Sequence, residues 1–187
     1  MNVLLLDNYD RFTYNMFHYL RSNGLDVAVF RNDKITIERA MQFDAIVLSP
    51  GPGLPAEAGI MMDLIEVAQA SKPILGVCLG LQAIIEHYGG SLKNLGKVIH
   101  GTASSCHVIE PSVLFENIES PFEVGHYHSW VADMVPQELI VTARNTDNLV
   151  MAIKHSSLPI EAVQFHPESV LTPTGKRMIK NWTDSIK

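Results

Sequence analysis

The chain has 187 residues, with 14 Lys and Arg against 20 Asp and Glu and a formal net charge of −6. This length predicts a single domain over residues 1–187, and a hydrophobic content of 47% excludes a disordered chain. The acidic balance, without a Lys/Arg cluster, argues against nucleic acid or a membrane surface as a partner. No apolar run reaches the roughly 20 residues of a membrane span, and no leader segment is recognisable. We therefore expect a cytoplasmic protein whose two cysteines, Cys78 and Cys106, are free thiols.

The first half of the chain alternates between strand-like and helix-like patterns. Almost continuously apolar runs predict strands buried on both faces of a parallel sheet, at Val3–Leu6, Val27–Phe30, Ala45–Leu48 and Ile74–Val77. Helical spacing predicts helices between them, over Phe12–Leu20, Met61–Ala70 and Leu79–Tyr88. This alternation predicts right-handed βαβ units and an α/β fold with a doubly wound, mostly parallel central sheet and helices on both faces.

The second half has a different pattern, with short strand-like runs and few helices. These runs are Val98–His100, Val108–Ile109, Val124–Tyr127, Leu139–Ala143, Val150–Ile153 and Ala162–Phe165. They predict antiparallel strands added to the sheet in the C-terminal half. A last helix is predicted over Thr174–Ile186.

A cysteine stands where a predicted strand runs into a predicted helix, in Gly76-Val77-Cys78-Leu79-Gly80. This G-x-C-x-G pattern is the cysteine counterpart of a nucleophile elbow. Its glycines are needed because the turn is so tight that side chains at their positions would collide with neighbouring backbone. Free N–H groups at the start of the helix favour a thiolate and can bind an oxyanion. We therefore predict that Cys78 is a nucleophile in an outlying backbone conformation. Cys106 has no such setting and is interpreted as a buried structural residue.

A cysteine nucleophile needs a base, and the base needs a group that orients it. His166 ends the run Ala162–Phe165, and the following Pro167 restricts it to extended geometry. Residues i and i+2 of an extended segment project to the same side, so Glu168 should reach the His166 ring. The sequence thus predicts a triad of Cys78, His166 and Glu168.

Two further histidines form a His-x-His pair at His126 and His128. Such a pair can ligate a metal, but no further ligand cluster accompanies it, so no metal site is predicted. The loop Ser49–Gly53 follows a predicted strand and exposes backbone N–H groups at the carboxyl edge of the sheet. A Gly53 N–H together with the amide of Leu79 would form an oxyanion hole. No phosphate-binding or dinucleotide fingerprint is present, which disfavours nucleotide binding.

The segments Ser49–Gly53, Gly76–Gln82 and His166-Pro167-Glu168 together resemble the class I, triad-type glutamine amidotransferases. The opening Asp7–Asn15 is similar to the glutaminase subunits, or component II, of anthranilate synthase and aminodeoxychorismate synthase. The resemblance covers essentially the whole chain. It implies that Cys78 attacks the amide of L-glutamine and that His166 shuttles protons while Glu168 orients it. It also implies glutamine-binding residues, which are Gly51, Gly53, Gln82, Ser129 and Trp130.

The resemblance further implies a partner, a chorismate-aminating synthase subunit (component I) that receives the ammonia in a hetero-oligomer. No cofactor is expected in this subunit, whereas the partner synthase is expected to need Mg²⁺. The residues expected to face the partner are Tyr9, Arg11, Phe12, His100 and Gly101.

Three positions depart from the family pattern, and they bear on the partner contacts rather than on the triad. Arg11 stands where Ser is usual, Thr102-Ala103 replaces Lys-Thr, and His126 stands where Arg is common. The favoured function is the ammonia supply of anthranilate synthase, in tryptophan biosynthesis. The alternatives are the same role in aminodeoxychorismate synthase, a stand-alone cysteine γ-glutamyl hydrolase, and a scaffold with a relic site.

Overall fold

The computed structural model describes residues 1–187 and contains nine strands in one sheet and five α-helices. The strands are β1 (Asn2–Asp7), β2 (Asp26–Arg31), β3 (Ala45–Leu48), β4 (Ile74–Val77), β5 (Ser91–Val108), β6 (Phe122–Met134), β7 (Leu139–Asn145), β8 (Val150–His155) and β9 (Ile160–Val163). The helices are α1 (Thr13–Ser22), α2 (Ile37–Ala40), α3 (Met61–Ala68), α4 (Leu79–His87) and α5 (Gly175–Ser185). None of these helices combines the length and the apolar character needed to cross a bilayer.

The strand order is β2-β1-β3-β4-β9-β8-β7-β5-β6. Strands β2, β1, β3, β4 and β9 pair in parallel, and the remaining pairs are antiparallel. The chain therefore builds a parallel half first and then adds an antiparallel half beyond β9. The predicted fold class, a doubly wound α/β sheet with antiparallel additions in the C-terminal half, is confirmed.

Strands β1, β3, β4 and β9 are buried on both faces, as their continuous apolar runs predict. The edge strand β2 was predicted to be buried in the same way, but it has a neighbour on one side only, and Val27 is its single buried residue. Along β1, Val3 and Leu5 point into one core, whereas Leu4 and Leu6 point into the other. Helices α1 and α5 cover the first core, and α2, α3 and α4 cover the second. Alternate residues of each strand thus serve opposite faces of the sheet.

Pairing of the parallel strands brings three loops to one edge of the sheet. Strand β4 lies between β3 and β9, with Gly76 opposite Leu48 on one side and Ala162 on the other. The segments that follow these strands contain Ser49–Gly53, Cys78 and His166. Because all three strands are parallel, their carboxyl ends meet at the same edge, where open α/β sheets bind ligands.

Several element boundaries differ from the predictions. The runs Val98–His100 and Val108–Ile109 belong to one long strand, β5, apart from Ile109 itself. This strand has no clear sequence pattern because most of its side chains are half-buried or exposed and only Cys106 is buried. Strand β9 ends at Val163 rather than at Phe165, although the Gln164 N–H still bonds to the Met151 carbonyl (2.8 Å). Helix α2 and the 3₁₀ turns at Pro55–Glu57 and Val113–Phe115 are too short for a periodic signal.

Gly80→Ala should destabilise the protein although alanine favours helices. A Cβ on Gly80 would lie 2.7 Å from the Leu48 carbonyl oxygen, so α4 would have to move off β3. We expect the free energy of unfolding to fall by about 1–3 kcal/mol, measured by urea denaturation. The control is Asn15→Ala on the exposed side of α1, which should leave stability unchanged or slightly raised. Equal stability of Gly80→Ala and the unmodified chain would contradict this account.

Candidate active site

Cys78 occupies the turn between β4 and α4 in a strained conformation. Its φ is 54° and its ψ is −99°, a backbone geometry that costs a non-glycine residue about 1–3 kcal/mol. Two hydrogen bonds hold the turn, from the Cys78 N–H to the Val163 carbonyl (2.8 Å) and from the Gln82 N–H to the Cys78 carbonyl (3.1 Å). The predicted outlying conformation at a strand–helix junction is confirmed.

His166 and Glu168 form a buried pair beside this turn. His166 Nδ1 lies 2.7 Å from Glu168 Oε1, and both residues are 1% exposed. His166 Nε2 is also buried, makes no hydrogen bond of normal geometry, and lies near the Cys78 thiol. Burial works to lower the pKa of His166, but contact with Cys78 and Glu168 outweighs it and raises that pKa well above its usual value. The structure thus brings the three residues of the predicted triad together.

The route by which Glu168 reaches His166 differs from the prediction. The sequence suggests an extended segment, but the Ser169 N–H bonds to the His166 carbonyl (3.2 Å) and closes a turn. Pro167 occupies the second position of this turn, where its fixed φ fits well. Glu168 therefore reaches the imidazole by folding back rather than by projecting to the same side of a strand.

Two aromatic rings cover the His166 imidazole. Phe12 and Tyr127 lie 5.6 and 4.9 Å from it, measured between ring centroids. The Tyr127 hydroxyl is 3.1 Å from Ser169 Oγ, which ties this cover to the turn after His166. Phe12, predicted to face a partner, is half-buried and contacts the imidazole directly. The rings exclude water from one side of the His166–Glu168 pair.

The other residues predicted to face a partner are exposed. Tyr9 is 48% exposed, and its hydroxyl donates to Asp33 Oδ1 (2.6 Å). Arg11 is exposed beside it. His100 is exposed on β5, with its ring 5.1 Å from that of Tyr127, and Gly101 follows it with a φ of 66°. The two segments therefore approach the same aromatic cluster from different parts of the chain.

A cavity of about 200 Å³ opens beside the cysteine. Apart from Gln82 on α4, the predicted glutamine-binding residues reach it from the turn at Gly51–Gly53 and from Ser129 and Trp130 on β6. The lining residues are Gly51, Pro52, Gly53, Cys78, Gln82, Val98, Tyr127, His128, Ser129 and Trp130. All five predicted glutamine-binding residues thus border the cavity that contains the predicted nucleophile.

Backbone donors are available at this cavity. Neither the Gly53 N–H nor the Leu79 N–H has an acceptor within the protein. Leu79 is the first residue of α4, so its N–H is one of those that a helix leaves free at its start. The Leu79 side chain itself packs into the core. The neighbouring Leu54 N–H bonds instead to Glu57 Oε2 (2.8 Å).

Gln164, a buried amide that contacts the predicted nucleophile, is not among the residues predicted from the sequence. Gln164 Nε2 lies 3.5 Å from Cys78 Sγ, and Gln164 Oε1 lies 3.2 Å from Gln82 Nε2. Gln82 Nε2 also donates to the Trp130 carbonyl (3.0 Å). The only sign in the sequence is a polar residue within the apolar run Ala162–Phe165, which marks a buried amide in need of partners.

His126 and His128 form a neutral hydrogen-bonded pair. His126 Nδ1 lies 3.0 Å from His128 Nε2, and His128 Nδ1 lies 3.1 Å from the Trp130 carbonyl. Ser104 Oγ contacts the far nitrogen of His126 at 2.6 Å. Burial lowers the pKa of both histidines to about 4. No group of three or more His, Cys, Asp or Glu side chains is arranged to hold a metal ion.

His126→Gln should weaken the loss of stability in acid. Each histidine of the pair binds a proton near pH 6.5 when unfolded and near pH 4 when folded, so the unfolded state binds more protons between these values. Stability therefore falls as the pH falls from 6.5 to 4, by up to about 3 kcal/mol per histidine. Urea denaturation at several pH values should show about half of this histidine-dependent slope lost in His126→Gln.

The control is Asn15→Ala, a change at an exposed position of α1 that removes no titratable group and should keep the slope of the unmodified chain. Because other groups titrate in the same range, only the difference between variants is diagnostic. An unchanged slope in His126→Gln would contradict the proposed protonation of the pair.

Comparisons with known proteins identify the family of this chain. Its sequence matches the family described as glutamine amidotransferase class-I over residues 4–186. It is 41% identical to anthranilate synthase component 2 of Vibrio parahaemolyticus, with 96% of this chain and 93% of that protein covered. It is 39% identical to aminodeoxychorismate/anthranilate synthase component 2 of Bacillus subtilis, with 99% and 97% covered.

The chain also matches part of longer proteins and a solved structure. It is 42% identical to a multifunctional tryptophan biosynthesis protein of Phycomyces blakesleeanus, covering 97% of this chain but only 24% of that protein. The chain spans half the length of a second such protein, from Pichia angusta. The crystal structure of a candidate GMP synthase subunit from Thermoplasma acidophilum superposes with a TM-score of 0.90 and 26% identity, covering 100% of this chain and 94% of that one. With the site geometry and these matches together, the chain belongs to the class I glutamine amidotransferases.

Proposed function

We propose that this chain is a glutaminase component that hydrolyses L-glutamine through a Cys78 thioester and delivers ammonia to a separate chorismate-aminating synthase subunit. The observation that carries the proposal is the strained conformation of Cys78 at the N-terminus of α4, beside a cavity and the buried His166–Glu168 pair. The names of the relatives, component 2 of two synthases, support a role as one part of a larger enzyme.

In the proposed reaction the Cys78 sulfur attacks the side-chain amide carbon of glutamine. His166 first takes the thiol proton of Cys78 and then donates it to the departing amide nitrogen, so that the C–N bond breaks and ammonia leaves a thioester. His166 later takes a proton from the water that attacks the thioester and returns it to the sulfur, which releases glutamate and restores the thiol. Glu168, 2.7 Å from Nδ1, keeps the imidazole in the orientation that turns Nε2 towards the sulfur. The raised pKa of His166 supports this assignment, because a protonated imidazole is ready to donate to the departing nitrogen.

The negative charge that develops on the amide oxygen would be held by the Gly53 and Leu79 N–H groups. Both donors are free, and Leu79 adds the positive end of the α4 dipole. Gly51, Gln82, Ser129 and Trp130 would bind the rest of the glutamine molecule, since each borders the same cavity. No step of this chemistry requires a cofactor in this chain, and the partner synthase would supply its own Mg²⁺.

The partner would dock on the exposed segments around the aromatic cluster. Tyr9 and Arg11 precede Phe12, and the ring of His100, which Gly101 follows, lies 5.1 Å from that of Tyr127, so both segments border rings that contact His166.

The product made by the partner is either anthranilate or aminodeoxychorismate, because the Bacillus subtilis relative carries both synthase names. We favour anthranilate synthase and therefore tryptophan biosynthesis. The two free cysteines fit a cytoplasmic location.

Cys78→Ala should abolish glutamine-dependent synthesis in the complex while ammonia-dependent synthesis continues. We expect a loss of more than about 10³-fold, because the nucleophile is removed and the partner's own chemistry is not. The measurement compares product formation from chorismate with glutamine and with ammonium salt. Equal loss with both nitrogen sources would contradict the proposal. Strong glutamine turnover by the chain alone would favour a stand-alone hydrolase.

Cys106→Ala is the matched control. Cys106 is fully buried, and burial raises its pKa to about 12, so it should not react as a nucleophile. A glutamine-analogue electrophile should therefore label Cys106→Ala as it labels the unmodified chain and should leave Cys78→Ala unlabelled. Labelling of Cys78→Ala would contradict the assignment of the nucleophile.

A further inference from the structure

Gln164 is fully buried and connects the nucleophile to the wall of the substrate cavity. It lies two residues before His166, and its side chain spans from Cys78 Sγ to the Gln82 amide. The proposed reaction assigns it no role. The function of Gln164 depends on which end of its amide, the N–H or the oxygen, faces Cys78 and which faces Gln82.

The Trp130 carbonyl determines the orientation of both amides, because a carbonyl oxygen only accepts hydrogen bonds. Gln82 Nε2 lies 3.0 Å from this oxygen and must therefore be the nitrogen end of the amide. His128 Nδ1, at 3.1 Å, is a second donor to the same oxygen. Two donors occupy both lone pairs of the carbonyl, so the orientation of Gln82 is fixed by the protein and not by the substrate.

The orientation of Gln82 then fixes that of Gln164. One N–H of Gln82 serves the Trp130 carbonyl, and the other points to Gln164, which must accept through its Oε1. The Gln164 nitrogen consequently faces Cys78 Sγ and donates to it at 3.5 Å. With both of its N–H groups used, Gln82 has only its Oε1 left for a further hydrogen bond, and Gln82 lines the cavity.

We propose that Gln164 is a positioning residue that acts at both ends of the site: it aims the Cys78 sulfur and holds the Gln82 side-chain oxygen towards the substrate. This inference rests on the proposed function, which makes glutamine the substrate. An N–H donor beside sulfur stabilises negative charge there before the attack. An acceptor held at the cavity wall binds a donor group of the substrate without first having to turn.

Gln164→Leu removes both hydrogen bonds and keeps a buried side chain of similar bulk. In the complex with the partner, we expect kcat for glutamine to fall about 10-fold and KM to rise about 3- to 10-fold. The KM effect should vanish in a Gln82→Leu background, since Gln164 acts on KM through Gln82. The kcat effect should persist there, because the contact with the sulfur is independent of Gln82.

Thr142→Val is the matched control for the loss of a buried polar group. Thr142 is fully buried in β7, and its hydroxyl has no hydrogen-bond partner. This variant should keep both kcat and KM. The ammonia-dependent activity of each complex shows whether the variant folds and docks on the partner. If Gln164→Leu does not fold, Gln164→Met replaces it, because methionine is unbranched and has no hydrogen-bond donor.

Unchanged kcat and KM in a folded Gln164→Leu or Gln164→Met complex would overturn the proposal. Independent, multiplying effects of Gln164→Leu and Gln82→Leu on KM would overturn the part that runs through Gln82. Alkylation of Cys78 by iodoacetamide separates this inference from the proposed function, because it needs no glutamine turnover. Slower alkylation in Gln164→Leu supports the contact with sulfur even if the unmodified complex does not hydrolyse glutamine, and an unchanged rate overturns that contact.

Discussion

Close backbone packing of α4 against β3 and β4 is the constraint on which the site depends. A Cβ on Gly76 would meet the backbone of Gly80 at 2.8 Å, and one on Gly80 would meet Leu48. Only glycine at both positions lets the helix begin immediately after the strand. Cys78, at the centre of the segment between these glycines, is then forced out of the regular backbone regions, which lifts its side chain above the edge of the sheet. The placement of the Cys78 side chain beside the cavity is thus a result of how tightly its neighbours pack.

The antiparallel half of the sheet has its own part in assembling the site. Strand β9 pairs with β4 in parallel and with β8 in antiparallel fashion, so it joins the two halves and carries His166 to the edge where Cys78 lies. Strand β6 brings Trp130, whose carbonyl orients Gln82 on α4. Residues of α4, β5 and β6 and of the turns after β3 and β4 therefore line one cavity. Such convergence makes the site sensitive to the register of the sheet, because a slip of one residue turns side chains to the other face.

Features set by local chemistry were predictable from the sequence, and features set by distant contacts were not. Strands β3 and β4 match their predicted bounds because both faces are buried and the apolar run is uninterrupted. The positions of Cys78 and His166 follow from turn residues beside them. Gln164 was missed because its partners are 82 and 86 residues away along the chain. The sequence predicted only two short runs of the long strand β5, because its side chains are largely exposed and give no alternating pattern.

The φ of 54° at Cys78 sets stability against activity at a single position. Glycine would accept this backbone geometry without strain, yet it carries no sulfur. The chain therefore keeps a less stable residue where the proposed chemistry needs one, and the rest of the fold must hold it there. A lineage that lost its need for ammonia from glutamine would be free to relax this turn. Replacement of the cysteine would then be among the first marks of a relative whose role had become purely structural.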